Sequence, residues 1–144
     1  MTTWDEFERG LAEQLPLMDD GDTVVISHGD YHVQFAQSTE VTAVEAVSNE
    51  FLPPAKHLDV GAERRLMELG WRHPRPNPDP SGWWDEVPWP MTNATAHRIA
   101  ARLRRTLEEV FRVGSPADLS YRAWHYTTNE KLTWPVFAGL TPED

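Results

Sequence analysis

Six of the chain's twelve prolines fall between Arg72 and Pro90, at positions 74, 76, 78, 80, 88 and 90. Each fixes its φ and has no N–H to donate, so a stretch this dense is expected to be neither helix nor interior strand. The segment 72–90 therefore reads as a long extended loop. Trp83, Trp84 and Trp89 lie inside it. Rings of that size need cover, which argues against a free linker.

Before this loop the residue pattern is periodic. Trp4, Phe7, Leu11 and Leu15 recur at helical spacing, Thr3 stands where a cap belongs, and Glu6 completes a capping box. Pro16 predicts an end near Leu15. After the turn at Asp19–Asp22 the period falls to two. Residues 23–28 and 31–37 are β-rich, and the two-residue link Gly29-Asp30 suits a tight hairpin. Tyr31, Val33 and Phe35 share one face of the second strand, opposite His32, Gln34 and Ala36. Val41 to Val47 predicts a third strand, closed off by Pro53-Pro54; its Val44, Val47 and Phe51 also fit a helical period. A short helix is expected over Gly61–Leu69, with Ala62, Leu66 and Leu69 inward and Gly70 as its left-handed cap.

Beyond the loop, Asn93 to Val113 predicts the longest helix, capped by Asn93 and stopped by Gly114. Its apolar stripe is Ala96, Ile99, Ala100, Leu103, Leu107, Val110 and Phe111. Leu119, Tyr121, Ala123 and His125 then alternate with Ser120, Arg122, Trp124 and Tyr126, as in a strand. Leu132–Leu140 is apolar and holds Trp134 and Phe137. The expectation is one α+β domain over residues 1–144, in which 144 residues suffice for a real core without staples.

Composition narrows the chemistry. There is no cysteine, which excludes disulfides, thiolate metal sites and cysteine nucleophiles. The N-terminus does not read as a secretory signal, and no apolar run reaches the roughly 18–20 residues of a membrane span, so a cytoplasmic protein is expected. Eleven arginines against two lysines read as base composition. The net charge is −10, and residues 1–59 alone carry twelve acids against two bases. Phosphate backbones repel such a surface, so no nucleic-acid partner is expected.

The metal-like pattern is His28-x-Asp30-x-His32. On a continuous strand its three side chains would face one way and could hold a divalent ion. The Gly29-Asp30 turn breaks that continuity, so no metal and no cofactor are expected. Ser27 beside His28 lacks a third group to orient a base, and no nucleophile elbow, Walker loop or dinucleotide motif occurs. No catalytic residue is assigned, and the chain reads as no enzyme. The tryptophans point elsewhere. Trp83, Trp84 and Trp89 either pin the loop to the core or present an aromatic surface to a partner, and one ring can face inward while its neighbour faces out.

Several stretches in order carry a resemblance. They are Asp22–Ile26 leading to Val33–Ala36, Glu45–Leu52, Leu66–Trp71, the Pro-rich loop with Trp83-Trp84, Thr106–Val113 and Pro116–Tyr121. Over most of residues 4–126 the chain resembles the actinobacterial domains grouped with type III secretion chaperones and YbjN-like proteins, described as peptide-binding chaperones. The resemblance implies an N-terminal helix, an antiparallel three-stranded meander, and helices packed on one face. It also implies a non-catalytic module that holds an extended segment of a protein or peptide client, and a homodimer, for which the bare outer strand of a meander is a second reason. Secretion chaperones place two strands between their second and third helices, where this chain has its Pro-rich loop. The alternative is an immunity protein whose acidic face neutralises a basic toxin. Trp83, Trp84 and Trp89 are the expected partner-binding residues.

Overall fold

A computed structural model describes residues 2–75 and 81–143. The first helix, α1 (Trp4–Gln14), starts where the capping box places it. The Thr3 hydroxyl accepts from the Glu6 N–H, and the Glu6 carboxylate accepts from the Thr3 N–H and hydroxyl. Those bonds hold the Glu6 carboxyl below its usual range. A single 3-10 turn over Leu15–Leu17 carries the chain off the helix at Pro16. The strands β1 (Asp22–His28), β2 (Tyr31–Gln37) and β3 (Val41–Ala46) follow as an antiparallel meander with Val24 opposite Phe35 and Phe35 opposite Val44. Helix α2 (Val60–Glu68) is capped by Asp59, and Gly70 closes it at a φ of 102°.

The expected α+β architecture with an N-terminal helix and a meander is observed, and the sheet extends beyond it. Strand β4 (Trp83–Pro88) pairs with β3, β5 (Ser120–His125) pairs antiparallel with β1, and the two-residue β6 (Thr141–Pro142) lies parallel to β5. The order across the sheet is β4-β3-β2-β1-β5-β6. Part of the 72–90 segment is thus a strand and not a loop. The prolines cluster on either side of residues 81–87, which contain none, and Pro88 sits at the strand end on the sheet edge, where a missing N–H costs no ladder bond. The expectation for Pro76, Pro78 and Pro80 lies outside the described residues.

The long helix also differs from its expected limits. Helix α3 (Asn93–Arg105) is capped by Thr92, whose hydroxyl accepts from the Thr95 N–H, and it opens into a π-helical turn over Thr106–Val110. Thr106 explains the change. Its buried hydroxyl donates to the Arg102 carbonyl at 2.7 Å and accepts from the Trp71 indole N–H at 2.9 Å, which brings a side chain into the helical ladder. The reversal falls at Arg112, with a φ of 57°, and not at Gly114.

The core lies between the sheet and the helices. Val24, Ile26, Val33, Phe35, Val44, Ala46, Trp83 and Val87 are buried on one sheet face, against Phe7, Leu11, Ile99, Leu103 and Leu107. Helices α1 and α3 pack together, and Arg104 ties them by bonding Asp5 at 2.7 Å and Glu8 at 3.3 Å. Four of the acids of residues 1–59 have structural places beyond the capping box: Asp5 and Glu8 pair with Arg104, Asp22 is buried, and Asp59 caps α2.

Candidate peptide-binding surface

The strand period of two sends alternate residues to opposite faces of the sheet. On the face away from the helices, Ala43, Glu86 and Arg122 are exposed, while Thr23, Val25, Gln34, Ala36, Glu45 and Trp84 are half-buried. The register lays these residues in rows. One row crosses the strands as Trp84, Glu45, Gln34, Val25 and Arg122; the next reads Glu86, Ala43, Ala36, Thr23 and Trp124. Three small side chains in the second row make a low floor beside Trp124. The result is a shallow hollow of about 340 Å³, lined by Thr23, Val25, Gln34, Ala36, Trp124 and Tyr126 among others. Tyr126 is 76% exposed at its rim, and the Arg122 guanidinium stands 5.3 Å from the Trp124 ring centre.

Trp84 closes the opposite end of the face. Its indole N–H donates to the His73 carbonyl at 2.9 Å, and the Arg75 guanidinium lies over its ring at 3.8 Å, with Arg72 at 5.1 Å. Arg72 is itself rooted, since its Nε bonds Asp85 Oδ1 at 3.1 Å. The indole is therefore held in one orientation before any partner arrives, which lowers the ordering cost of binding.

The three tryptophans expected to meet a partner separate. Trp83, one residue from Trp84, points into the core, is 1% exposed and lies against His73. Trp89 is half-buried against the core, and its backbone N–H donates to the Glu40 carbonyl. Trp84 alone of the three lies on the open face. Trp124 and Tyr126 join it there although the sequence reading gave them no role. Their signal was present: both are aromatic on the otherwise polar side of the 120–126 alternation.

A second structural feature anchors this face from behind. Asp85, next to Trp84, turns inward and accepts from Arg102 at 2.8 Å as well as from Arg72. Burial raises its pKa, but the bonds from Arg102, the Glu86 N–H and Arg72 prevail and hold it below the usual carboxylate range. The pair ties β4 to α3.

Neither metal nor nucleophilic chemistry is assembled at the residues singled out for it. His28 lies opposite Tyr31 and His32 opposite Ser27, so the two imidazoles project to opposite faces of the sheet. The His28 ring bonds the Asp118 carbonyl oxygen, and Ser27 donates to Glu143 at 3.5 Å, so neither is directed at the other. Among the described residues no group of three or more His, Asp or Glu converges on a metal position.

The sheet edges are shielded. The outward N–H groups of β4 are taken by the Arg72 carbonyl at Trp84 and by the Asp85 carboxylate at Glu86, and Pro88 has none. At the other edge the chain's own C-terminal residues bond β5. The bare outer strand expected of a three-stranded meander is thus covered, which leaves a partner the face and not the edge.

No described helix is long and apolar enough to cross a membrane. Neither the curated proteins nor the solved structures give a match to the chain. The family model described as T3SS (YopN, CesT) and YbjN peptide-binding chaperone 3 matches residues 1–125, which include every element from α1 to β5. The chain belongs to this family of peptide-binding chaperones.

Proposed function

We propose that the protein is a non-catalytic, cytoplasmic chaperone-like module that holds an extended segment of a client protein across the open face of its sheet. The observation that carries this reading is the face itself: a low floor of Thr23, Ala36 and Ala43 with Trp124 and Tyr126 at one end and a pre-oriented Trp84 at the other. Family membership supports a peptide as the ligand. Aromatic side chains supply large contact area with few bonds to freeze, which is why they dominate binding energetics. Of the residues expected to bind, Trp84 serves as the anchor, Trp89 supports the end of β4, and Trp83 holds the strand to the core.

A homodimer belongs to the same proposal and needs a face, since both sheet edges are shielded. Val60 and Met67, seven residues apart on α2 and both exposed, supply an apolar contact for it. Light scattering over a tenfold dilution reads this directly. A mass fixed at 16.5 kDa throughout speaks against a dimer.

The test of client binding is a pull-down from native lysate with identification of what is captured, followed by titration of that client. The reading requires Trp84→Ala to weaken binding while the fold is kept. A client whose affinity is indifferent to Trp84, Trp124 and Tyr126 moves the site off this face.

A further inference from the structure

The family match ends at residue 125, and the chain beyond it does something specific. After an exposed turn at Tyr126–Glu130, with Asn129 at a φ of 61°, it returns along β5: Leu132 N–H donates to the Ala123 carbonyl. It then crosses the inner side of the sheet as a 3-10 turn over Pro135–Gly139. There Phe137 stacks on Tyr121 at 4.4 Å and on Trp134 at 5.3 Å, and Trp134 meets Phe35 at 6.0 Å. Val136 lies against Gly10 of α1 so closely that a methyl group added there would stand 2.8 Å from it. Finally Thr141 and Glu143 donate their N–H groups to the Leu119 and Tyr121 carbonyls.

The groove between α1 and β5 is therefore built by residues inside the peptide-binding family and filled by a segment outside it. That segment looks like a ligand. Leu132 to Pro142 is eleven residues without a charge, in a chain that is 25% charged. Its apolar anchors Trp134, Phe137 and Leu140 are spaced three apart, and main-chain bonds hold both its ends to a strand edge, as in recognition of an extended peptide by strand addition. The cover is also incomplete. Between Leu132 and Pro142 the strap leaves a hollow of about 370 Å³ at the sheet edge, beside Tyr121, Arg122, Ala123 and Trp124.

We propose that the α1–β5 groove is a second peptide-docking surface, that residues 131–143 are its resident occupant, and that an uncharged extended segment with apolar anchors at i, i+3 and i+6 binds there by displacing them. The anchors Phe137 and Trp134 lie on the side of the sheet opposite Trp84, against Tyr121 and Phe35, and the two surfaces meet at Trp124 on the sheet edge.

The experiment is a fluorescence-anisotropy titration of a labelled synthetic peptide copying residues 131–143 into full-length protein. Phe137→Ala weakens the strap and leaves the groove residues intact, so the peptide should bind this variant at least tenfold more tightly than the wild type. A peptide with serine at the three anchor positions should bind neither. Hydrogen exchange on the wild-type chain supplies a readout that does not depend on a variant: the amides of Leu132, Thr141 and Glu143 should exchange at least a hundredfold faster than those of Val24 and Ile26. Equal peptide affinity for both proteins overturns the proposal. So does exchange of the strap in step with β1, and so does a concentration-dependent dimer formed by trading straps in place of peptide binding. The serine peptide and the Phe137 variant change only anchors that face α1 and the inner side of the sheet, so a failure here leaves the open-face reading, tested at Trp84, intact.

Discussion

Trp83 and Trp84 are consecutive in sequence and lie on opposite sides of one sheet, and the contrast between those two sides organises the molecule. The inner side is largely apolar apart from groups such as the Asp85–Arg102 pair, is covered by α1 and α3, and holds Trp83 at 1% exposure. The outer side has small and polar residues along its centre and aromatic rings at its ends. A strand puts neighbours in different environments at no cost, so one segment can stabilise the fold with odd residues and meet a partner with even ones. Mutations along β4 should therefore separate into two classes.

The largest effect is expected at Trp83→Ala, which should lower unfolding free energy by about 3–5 kcal/mol in urea titrations, as for other large aromatic truncations in cores. Trp83→Phe sharpens the point. The buried Trp83 Nε1 has no hydrogen-bond partner among the described residues, so losing it removes no bond. The Phe variant should retain most of the stability. If Trp83→Ala were nearly neutral, the inner side of β4 would not be part of the core.

Asp85→Asn comes next. It removes the charge that compensates Arg102, a side chain 5% exposed, and should cost about 3 kcal/mol because breaking a buried pair leaves an unpaired charge. The linkage has a definite sign. The folded-state pKa is depressed, so the stabilisation is present above the ordinary 3.8 and is lost as pH falls below it through the folded value. Acid titration of unfolding free energy should thus be shallower below pH 3.8 for Asp85→Asn than for the wild type. Identical acid profiles would mean that the pair contributes nothing.

Trp84→Ala tests the other side. Its ring is half-buried at the edge strand, so folding should lose under about 1 kcal/mol, the range of most surface changes. Client affinity should fall about thirty-fold, which is the equivalent of roughly 2 kcal/mol at a hot spot. The comparison breaks if Trp83→Ala and Trp84→Ala give the same profile.

The sequence disclosed local structure better than it disclosed the sheet. The capping box at Thr3 and Glu6, the Gly29-Asp30 hairpin and the Gly70 cap are each decided by residues within a few positions of one another, and all three lie where the pattern puts them. Strand β4 is hidden because the prolines at 74–80 and 88–90 dominate the composition of residues 72–90, while the strand occupies the stretch where they are nearly absent. The π-helical turn was hidden for a different reason. It depends on Thr106 meeting Trp71, 35 residues away, and no local period records that. Of the candidate site, Trp84 was legible as an aromatic that could face a partner. Trp124 was legible as an aromatic on the polar side of its strand. Its place on the same face as Trp84 was not, because that follows from β5 pairing beside β1 in a register that sets it opposite Thr23.

His32 gives the smallest effect and the finest test of the two sides. It lies on the outer side, opposite Ser27, yet burial pushes its pKa below the ordinary 6.5 against a smaller upward pull from Glu45. His32 is half-buried, so the shift reports local desolvation on an otherwise open face. Because the folded-state value is depressed, the unfolded chain takes up the proton first as pH falls. Stability is full above pH 6.5 and declines from there until the folded state also protonates. His32→Gln should remove that slope and leave the separate acid loss due to Asp85, which begins only below 3.8. Urea midpoints measured at half-unit steps from pH 7.5 to 3 should then show two windows in the wild type and one in the variant. A variant that keeps the upper window would assign it to a group other than His32.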